Sequence, residues 1–92
     1  MVTTNWFVYI VEAENGALYT GITTHLARRF SEHKSHNKGA RFFHTSAAKH
    51  LVYSEPHLGR SSASKREAAI KKLSRNAKLE LIANNHKHIL PS

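Results

Sequence analysis

The sequence predicts an α+β domain, a small three-stranded, mainly antiparallel sheet flanked by helices in the order β-β-α-β-α-α. Three observations predict it. A β-branched and aromatic run, Trp6 to Val11, is followed by Asn15-Gly16 and a second strand-like run, Leu18 to Ile22, which together read as a hairpin. A third strand-like run, Leu51-Val52-Tyr53-Ser54, lies between segments whose apolar residues have helical spacing. The chain has 92 residues, 40% hydrophobic and 22% charged, enough for one buried core and too few for two. One domain is therefore expected over residues 1–92, with its core at about 5–84 and a disordered tail at 85–92.

Each element has a local reason. Asn15 and Gly16 both tolerate positive φ, which a tight hairpin needs. Thr23 or Thr24 can cap the first helix, where Leu26, Ala27 and Phe30 share a face and which is expected to run to about Lys34. Ser35 to Ser46 is polar and basic and reads as a loop. Glu55-Pro56 should close the third strand, and Gly59 to Ser62 reads as a turn. A second helix presents Ala63, Ala69, Ile70 and Leu73. Ser74 ends it and caps a third, Arg75 to about Ala83, with Asn84-Asn85 as its stop.

Composition narrows the function classes. Fourteen Lys and Arg stand against six acids, a net charge of +8, which points to a polyanion partner, first of all nucleic acid. With no cysteine there is neither a disulfide framework nor a thiolate metal site. The sequence has no apolar run long enough to span a membrane and no signal-peptide layout, so a cytoplasmic location is expected. All six acids are glutamate (Glu12, Glu14, Glu32, Glu55, Glu67, Glu80), too scattered for a two-metal carboxylate cluster. Phosphodiester cleavage by this chain would use a single metal ion. Eight histidines include His33 and His36 at helical i, i+3 spacing, but no further ligand pattern accompanies them.

Certain side chains stand out as candidates. Strand alternation puts Phe7, Tyr9 and Val11 on one face, and the hairpin brings Tyr9 towards Tyr19. Taken alone, both tyrosines read equally as core aromatics. Gly21 within a strand suggests a bulge or a close approach. Arg29 and His33 are helical neighbours able to engage one phosphate, or alternatively two solvated members of a basic face. Arg28 points about 100° away from Arg29, a backbone contact or a solvated charge. Glu67 has two readings. Ser64-Lys65-Arg66-Glu67 matches a capping box, whereas a helix starting at Ser61 or Ser62 would place Glu67 inside it, available to a cation.

These residues form an ordered set. Val8-Tyr9-Ile10, Tyr19-Thr20-Gly21, Arg29-Phe30-Ser31-Glu32-His33, Glu67 and the run Ile70-Lys71-Lys72-Leu73-Ser74-Arg75 with Lys78-Leu79 resemble the GIY-YIG nuclease superfamily, and more closely its small single-domain bacterial UPF0213 group. The likeness covers about Trp6 to Asn84. The first tripeptide's glycine and isoleucine are replaced around Tyr9, as in the small group, and no lysine closely follows Tyr19-Thr20-Gly21.

The resemblance implies a metal-dependent DNA endonuclease, acting on branched or damaged structures, with Tyr9, Tyr19, Arg29, His33 and Glu67 as its catalytic residues. Glu67 would hold a divalent ion, Mg²⁺ or Mn²⁺, among mostly water ligands. Arg29 would neutralise phosphoryl charge, and Tyr19 would orient or deprotonate the attacking water, helped by Tyr9 or His33. A free tyrosine loses its proton only near pH 10, so base work requires positive charge or metal nearby. DNA phosphates are expected to meet Arg28 and Lys34 on the helix and Lys38, Arg41 and Lys49 on the basic loop, or a partner protein supplies targeting. The competing class is a catalytically weak nucleic-acid-binding module on the same fold.

Overall fold

A computed structural model describes residues 6–35, 41–44 and 46–89. Its elements are β1 (Trp6–Ala13), β2 (Leu18–Thr23), α1 (Leu26–Lys34), a 3₁₀ turn (Arg41–His44), β3 (Ala48–His57), α2 (Arg60–Lys71) and α3 (Arg75–Ile89). The three strands form one antiparallel sheet in the order β2-β1-β3. The α+β class and the β-β-α-β-α-α order are those the sequence predicts.

The central strand organises the molecule because its four residues from Val8 to Val11 are all buried. Alternation sends them to opposite faces. Val8 and Ile10 join Tyr53, Ala63 and Ile70, with Leu81 and Ile82 packed alongside, so α2 and α3 cover one face. Tyr9, Val11 and Ala13 join Phe43 and Ala48, with Tyr19, Leu26 and Phe30 alongside, so α1 and the 3₁₀ turn cover the other. A strand buried on both faces reads as a continuous apolar run, which is how residues 6–11 read in the sequence.

Several boundaries differ from the sequence reading, each for a physical reason. In the hairpin only Gly16 has positive φ, at 88°, while the Asn15 side chain accepts a hydrogen bond from the Ala17 amide at 3.0 Å. The cap of α1 is His25, not Thr23 or Thr24: its Nδ1 accepts from the Arg28 amide at 3.3 Å. Thr23 instead accepts from the His25 amide at 3.1 Å, turning the chain one step earlier. The stretch read as loop contains the 3₁₀ turn, and Lys49 stands on β3 rather than in that loop. Strand β3 continues through Glu55-Pro56 to His57 because it lies at the sheet edge, where a missing N–H is tolerated.

Helix α2 starts at Arg60 behind Gly59, which makes no side-chain cap bond. Ser64 is then inside the helix, the capping box with Glu67 does not form, and Glu67 is a mid-helix residue. Ser74 caps α3, its hydroxyl accepting from the Ala77 amide at 3.1 Å. Helix α3 does not stop at Asn84-Asn85 but continues to Ile89, so the tail expected from residue 85 is helical over its first part. Asparagine is a mild helix destabiliser, worth well under ~1 kcal/mol against alanine, and no glycine or proline follows until Pro91. Among the described residues no helix is long and apolar enough to cross a membrane.

Candidate active site

Strands β1 and β2 place the two tyrosines. Their register sets Tyr9 opposite Gly21 and Val11 opposite Tyr19, so the tyrosines are diagonal neighbours on one face with ring centroids 6.3 Å apart. The absence of a side chain at Gly21 makes room for this. A Cβ there would lie 2.5 Å from the Tyr9 hydroxyl and 2.7 Å from its Cζ. The close approach that a glycine in this strand suggests is therefore made by the Tyr9 ring.

Helix α1 brings the next two residues. His33 is 2% exposed and its Nε2 lies 2.7 Å from the Tyr9 hydroxyl, which is also 2% exposed as a residue. The Arg29 guanidinium is within hydrogen-bonding reach of the same hydroxyl and donates from Nη1 to Glu32 Oε1 at 3.0 Å. Arginine can only donate, so the Tyr9 oxygen accepts from Arg29, while the direction of its bond with His33 Nε2 follows the ring tautomer.

Burial sets the protonation states. It pushes the Tyr9 hydroxyl up to about 12, with the neighbouring Tyr19 and Glu67 charges adding to the rise and Arg29 opposing it. It pushes His33 down to about 4, helped by the Arg29 charge and opposed by Glu32. Burial also opposes the Arg29 charge, but its bonds to Glu32 and Tyr9 outweigh that and raise it further. At neutral pH the cluster therefore holds a protonated tyrosine, a neutral histidine and a cationic arginine.

Glu67 approaches from α2, on the opposite side of the sheet from α1, close enough for its charge to act on Tyr9. Its side chain is 22% exposed and pairs with Lys71 at 3.2 Å. Among the described residues no group of three or more His, Cys, Asp or Glu could hold a metal ion. A lone, partly exposed carboxylate suits a hard divalent cation that keeps most of its water, which would here displace the Lys71 ammonium.

The structure thus gathers Tyr9, Tyr19, Arg29 and His33, with Glu67 within electrostatic range. Among the expected phosphate contacts, Arg28, Lys34, Arg41 and Lys49 are all exposed, and Lys38 lies outside the described residues. The Lys34 ammonium sits 5.4 Å from the centroid of the Phe30 ring. Sequence reading missed the aromatic wall of the site. Phe43 is 3% exposed with its ring 4.7 Å from His33 and 5.2 Å from Tyr19, and Phe42 lies 5.3 Å from Tyr19. Adjacent phenylalanines inside a polar stretch were the available signal.

This fold and this arrangement define a nuclease-type domain, and the GIY-YIG catalytic domain profile matches residues 5–80. The chain belongs to the GIY-YIG family and, within it, to the UPF0213 proteins. It is 52% identical over 82 residues to a UPF0213 protein of Desulfotalea psychrophila, covering 89% of this chain and 74% of that one. Against a UPF0213 protein of Pseudomonas aeruginosa it is 54% identical over 77 residues, 84% of this chain and 73% of the relative. The solution structure of a UPF0213 protein from Bacillus halodurans superposes with a TM-score of 0.54 at 35% identity, over 85% of this chain and 82% of the other. A second solution structure, from E. faecalis, gives 0.58 at 28% identity, over 99% and 94%.

Proposed function

We propose that this protein is a metal-dependent endonuclease that hydrolyses DNA phosphodiester bonds, on branched or damaged structures rather than at a sequence. The observation that carries the reading is the buried Tyr9–His33 hydrogen bond with Arg29 held against the same hydroxyl. Such a cluster fixes the Arg29 cation against Tyr9, whose ring lies 6.3 Å from that of Tyr19, in a partly dehydrated setting where it acts on charge that develops at a phosphoryl group. Arg29, 31% exposed in its side chain, stabilises that charge. Tyr19 orients or deprotonates the attacking water. Tyr9 and His33, both buried, hold Arg29 and Tyr19 in place rather than meeting bulk water.

Glu67 would hold Mg²⁺ or Mn²⁺, which when bound supplies Lewis acidity at the scissile phosphate and its leaving oxygen. Arg28, Lys34, Lys38, Arg41 and Lys49 neutralise neighbouring phosphates, and a protein partner supplies further targeting. With five such contacts the affinity for duplex DNA falls with salt on a log–log slope of roughly −4 to −5. Removing any one flattens that slope by about 1.

The experiment is a cleavage assay on plasmid, single-stranded, flap and four-way-junction DNA with Mg²⁺, with Mn²⁺ and with chelator. Glu67→Gln keeps the size of the side chain and loses its charge, and is expected to abolish cleavage while binding persists. The ion pair between Glu67 and Lys71 favours one competing reading, a binding module whose carboxylate serves only the helix. Full cleavage by Glu67→Gln removes the single-metal mechanism. No cleavage by the unaltered protein on any substrate, with binding intact, establishes the module.

A further inference from the structure

We propose that Phe42 is a stacking platform for an unpaired nucleobase at the edge of the reaction centre, so that this site takes DNA carrying a base released from its neighbours. The inference rests on the nuclease reading and adds to it the feature of the substrate that is recognised.

Phe42 and Phe43 are consecutive on the 3₁₀ turn yet have opposite fates, 37% and 3% exposed. Their rings meet edge-on at 5.0 Å, and both lie against Tyr19, at 5.3 Å and 5.2 Å. The partly exposed ring is therefore seated on a buried aromatic cluster that continues through Phe43 to His33 at 4.7 Å. It adjoins Tyr19, the side chain assigned to the attacking water. Among the described residues the other exposed large apolar side chains are all leucines, Leu51, Leu58, Leu73 and Leu79, so Phe42 alone among them offers an aromatic surface.

The surroundings supply what a strand of DNA needs. Arg41 precedes Phe42 and is exposed, and Arg28 and Lys34 are exposed on α1, the helix that carries Arg29 and His33. Basic side chains along a backbone path with an aromatic ring for the bases is the recurring chemistry of single-strand recognition. Phenylalanine has no donor or acceptor, so the platform reads no sequence, because every base has a π-face. It reads availability. In an intact duplex that face is covered by the neighbouring pair, and exposing it costs a few kcal/mol, least where the base is already unpaired. Flaps, gaps and branch points satisfy the condition without that cost.

The test is photocrosslinking and affinity measured in chelator, where no cleavage occurs. Oligonucleotides carry 5-iododeoxyuridine at an unpaired flap position, with an intact duplex of equal length as comparator. The crosslink is expected to map to Phe42 and to vanish in Phe42→Leu. That variant keeps an apolar contact with Phe43, and its thermal midpoint checks the fold. It is expected to weaken flap binding by roughly 5- to 150-fold, the worth of one base stack, with duplex affinity unchanged. Phe42→Trp should retain both the crosslink and the flap preference. A crosslink that maps away from the 3₁₀ turn, or equal weakening for flap and duplex, overturns the platform. The two readings fail separately. A protein that crosslinks through Phe42 but cuts nothing with Mg²⁺ or Mn²⁺ loses the nuclease and keeps the platform. A protein that cuts normally while Phe42→Leu binds flaps unchanged loses the platform alone.

Discussion

Two polar clusters in this molecule are built from the same four residue types and do different work. One contains Tyr9, His33, Arg29 and Glu32, and the other Tyr53, His57, Arg66 and Glu55. In the second the hub is an acid. Glu55 accepts from the Tyr53 hydroxyl, from Arg66 at 3.1 Å and from His57 at 2.6 Å, while His57 also meets the Ser62 hydroxyl at 2.5 Å. Burial opposes the Glu55 charge, yet these donors hold its carboxyl below the usual range. Its negative charge is matched by Arg66, and the cluster ties edge strand β3 to the start of α2. In the first cluster the hub is the neutral hydroxyl of Tyr9, and the acid, Glu32, stands to one side, paired with Arg29 at 3.0 Å. An acid hub makes a fastening, whereas a neutral hub leaves the ion pair at the rim, where Arg29 and Glu32 are 31% and 28% exposed in their side chains.

The largest expected difference between the clusters is in their response to acid. His33 is lowered from 6.5 to about 4, so its contribution to stability is fully present above pH 6.5 and is lost as pH falls towards 4. That loss amounts to roughly 3 kcal/mol. The Glu55 contribution is present above pH 4.5 and is lost only below it. Urea unfolding across pH 3–8 should therefore show two acid steps, the upper one absent in His33→Gln. An acid limb unchanged by His33→Gln would place the sensitivity elsewhere. On the alkaline side Tyr9, raised to about 12, holds its contribution below pH 10 and loses it through pH 12.

Gly21→Ala probes the first cluster from beneath. The added methyl meets Tyr9 at 2.5 Å and 2.7 Å and Tyr19 at 3.1 Å, and Tyr9 is buried and hydrogen-bonded, so it cannot swing aside cheaply. Denaturant titration should show a loss of about 1–3 kcal/mol. Turnover by the folded fraction should fall about 10²-fold, because a site displaced by an ångström loses its alignment.

Glu55→Gln removes the acid hub of the second cluster and is expected to cost about 1–2 kcal/mol, reduced by partial exposure, with turnover of the folded protein unchanged. A matching loss of turnover would show that the fastening also sets Glu67, twelve residues further along the chain. Smallest of all, Ser62→Ala at an exposed position should stay within ~0.5 kcal/mol.

What the sequence made legible divides along the same line. The strands and helices were visible because their periodicities come from burial of faces, and Val8 to Val11 stood out because both faces are buried. Boundaries were lost where tertiary position overrides local preference: Pro56 is accommodated only because β3 is an edge, and α3 passes Asn84-Asn85 because nothing stronger stops it. Glu67 was undecided between cap and helix interior until the helix start at Arg60 settled its place. Tyr9, Tyr19 and Arg29 were distinguishable from core and surface residues only as members of a motif set, since no local spacing shows that one glycine opposite admits a tyrosine ring. Phe42 and Phe43 carried no periodicity at all. The Glu55 cluster left a faint trace in the alternation of Tyr53, Glu55 and His57 along one strand, with Ser62 and Arg66 four apart on the helix.

Tyr9 belongs to the strand that is paired on both sides and covered on both faces. Its amide and those of its neighbours can exchange with solvent only when the sheet itself comes apart, the slowest class of opening a small domain has. The residue at the heart of the site therefore lacks the partial melting that lets many active centres lose function before the rest of the protein. Heating should leave the reaction geometry intact up to the cooperative transition and remove it in a single step.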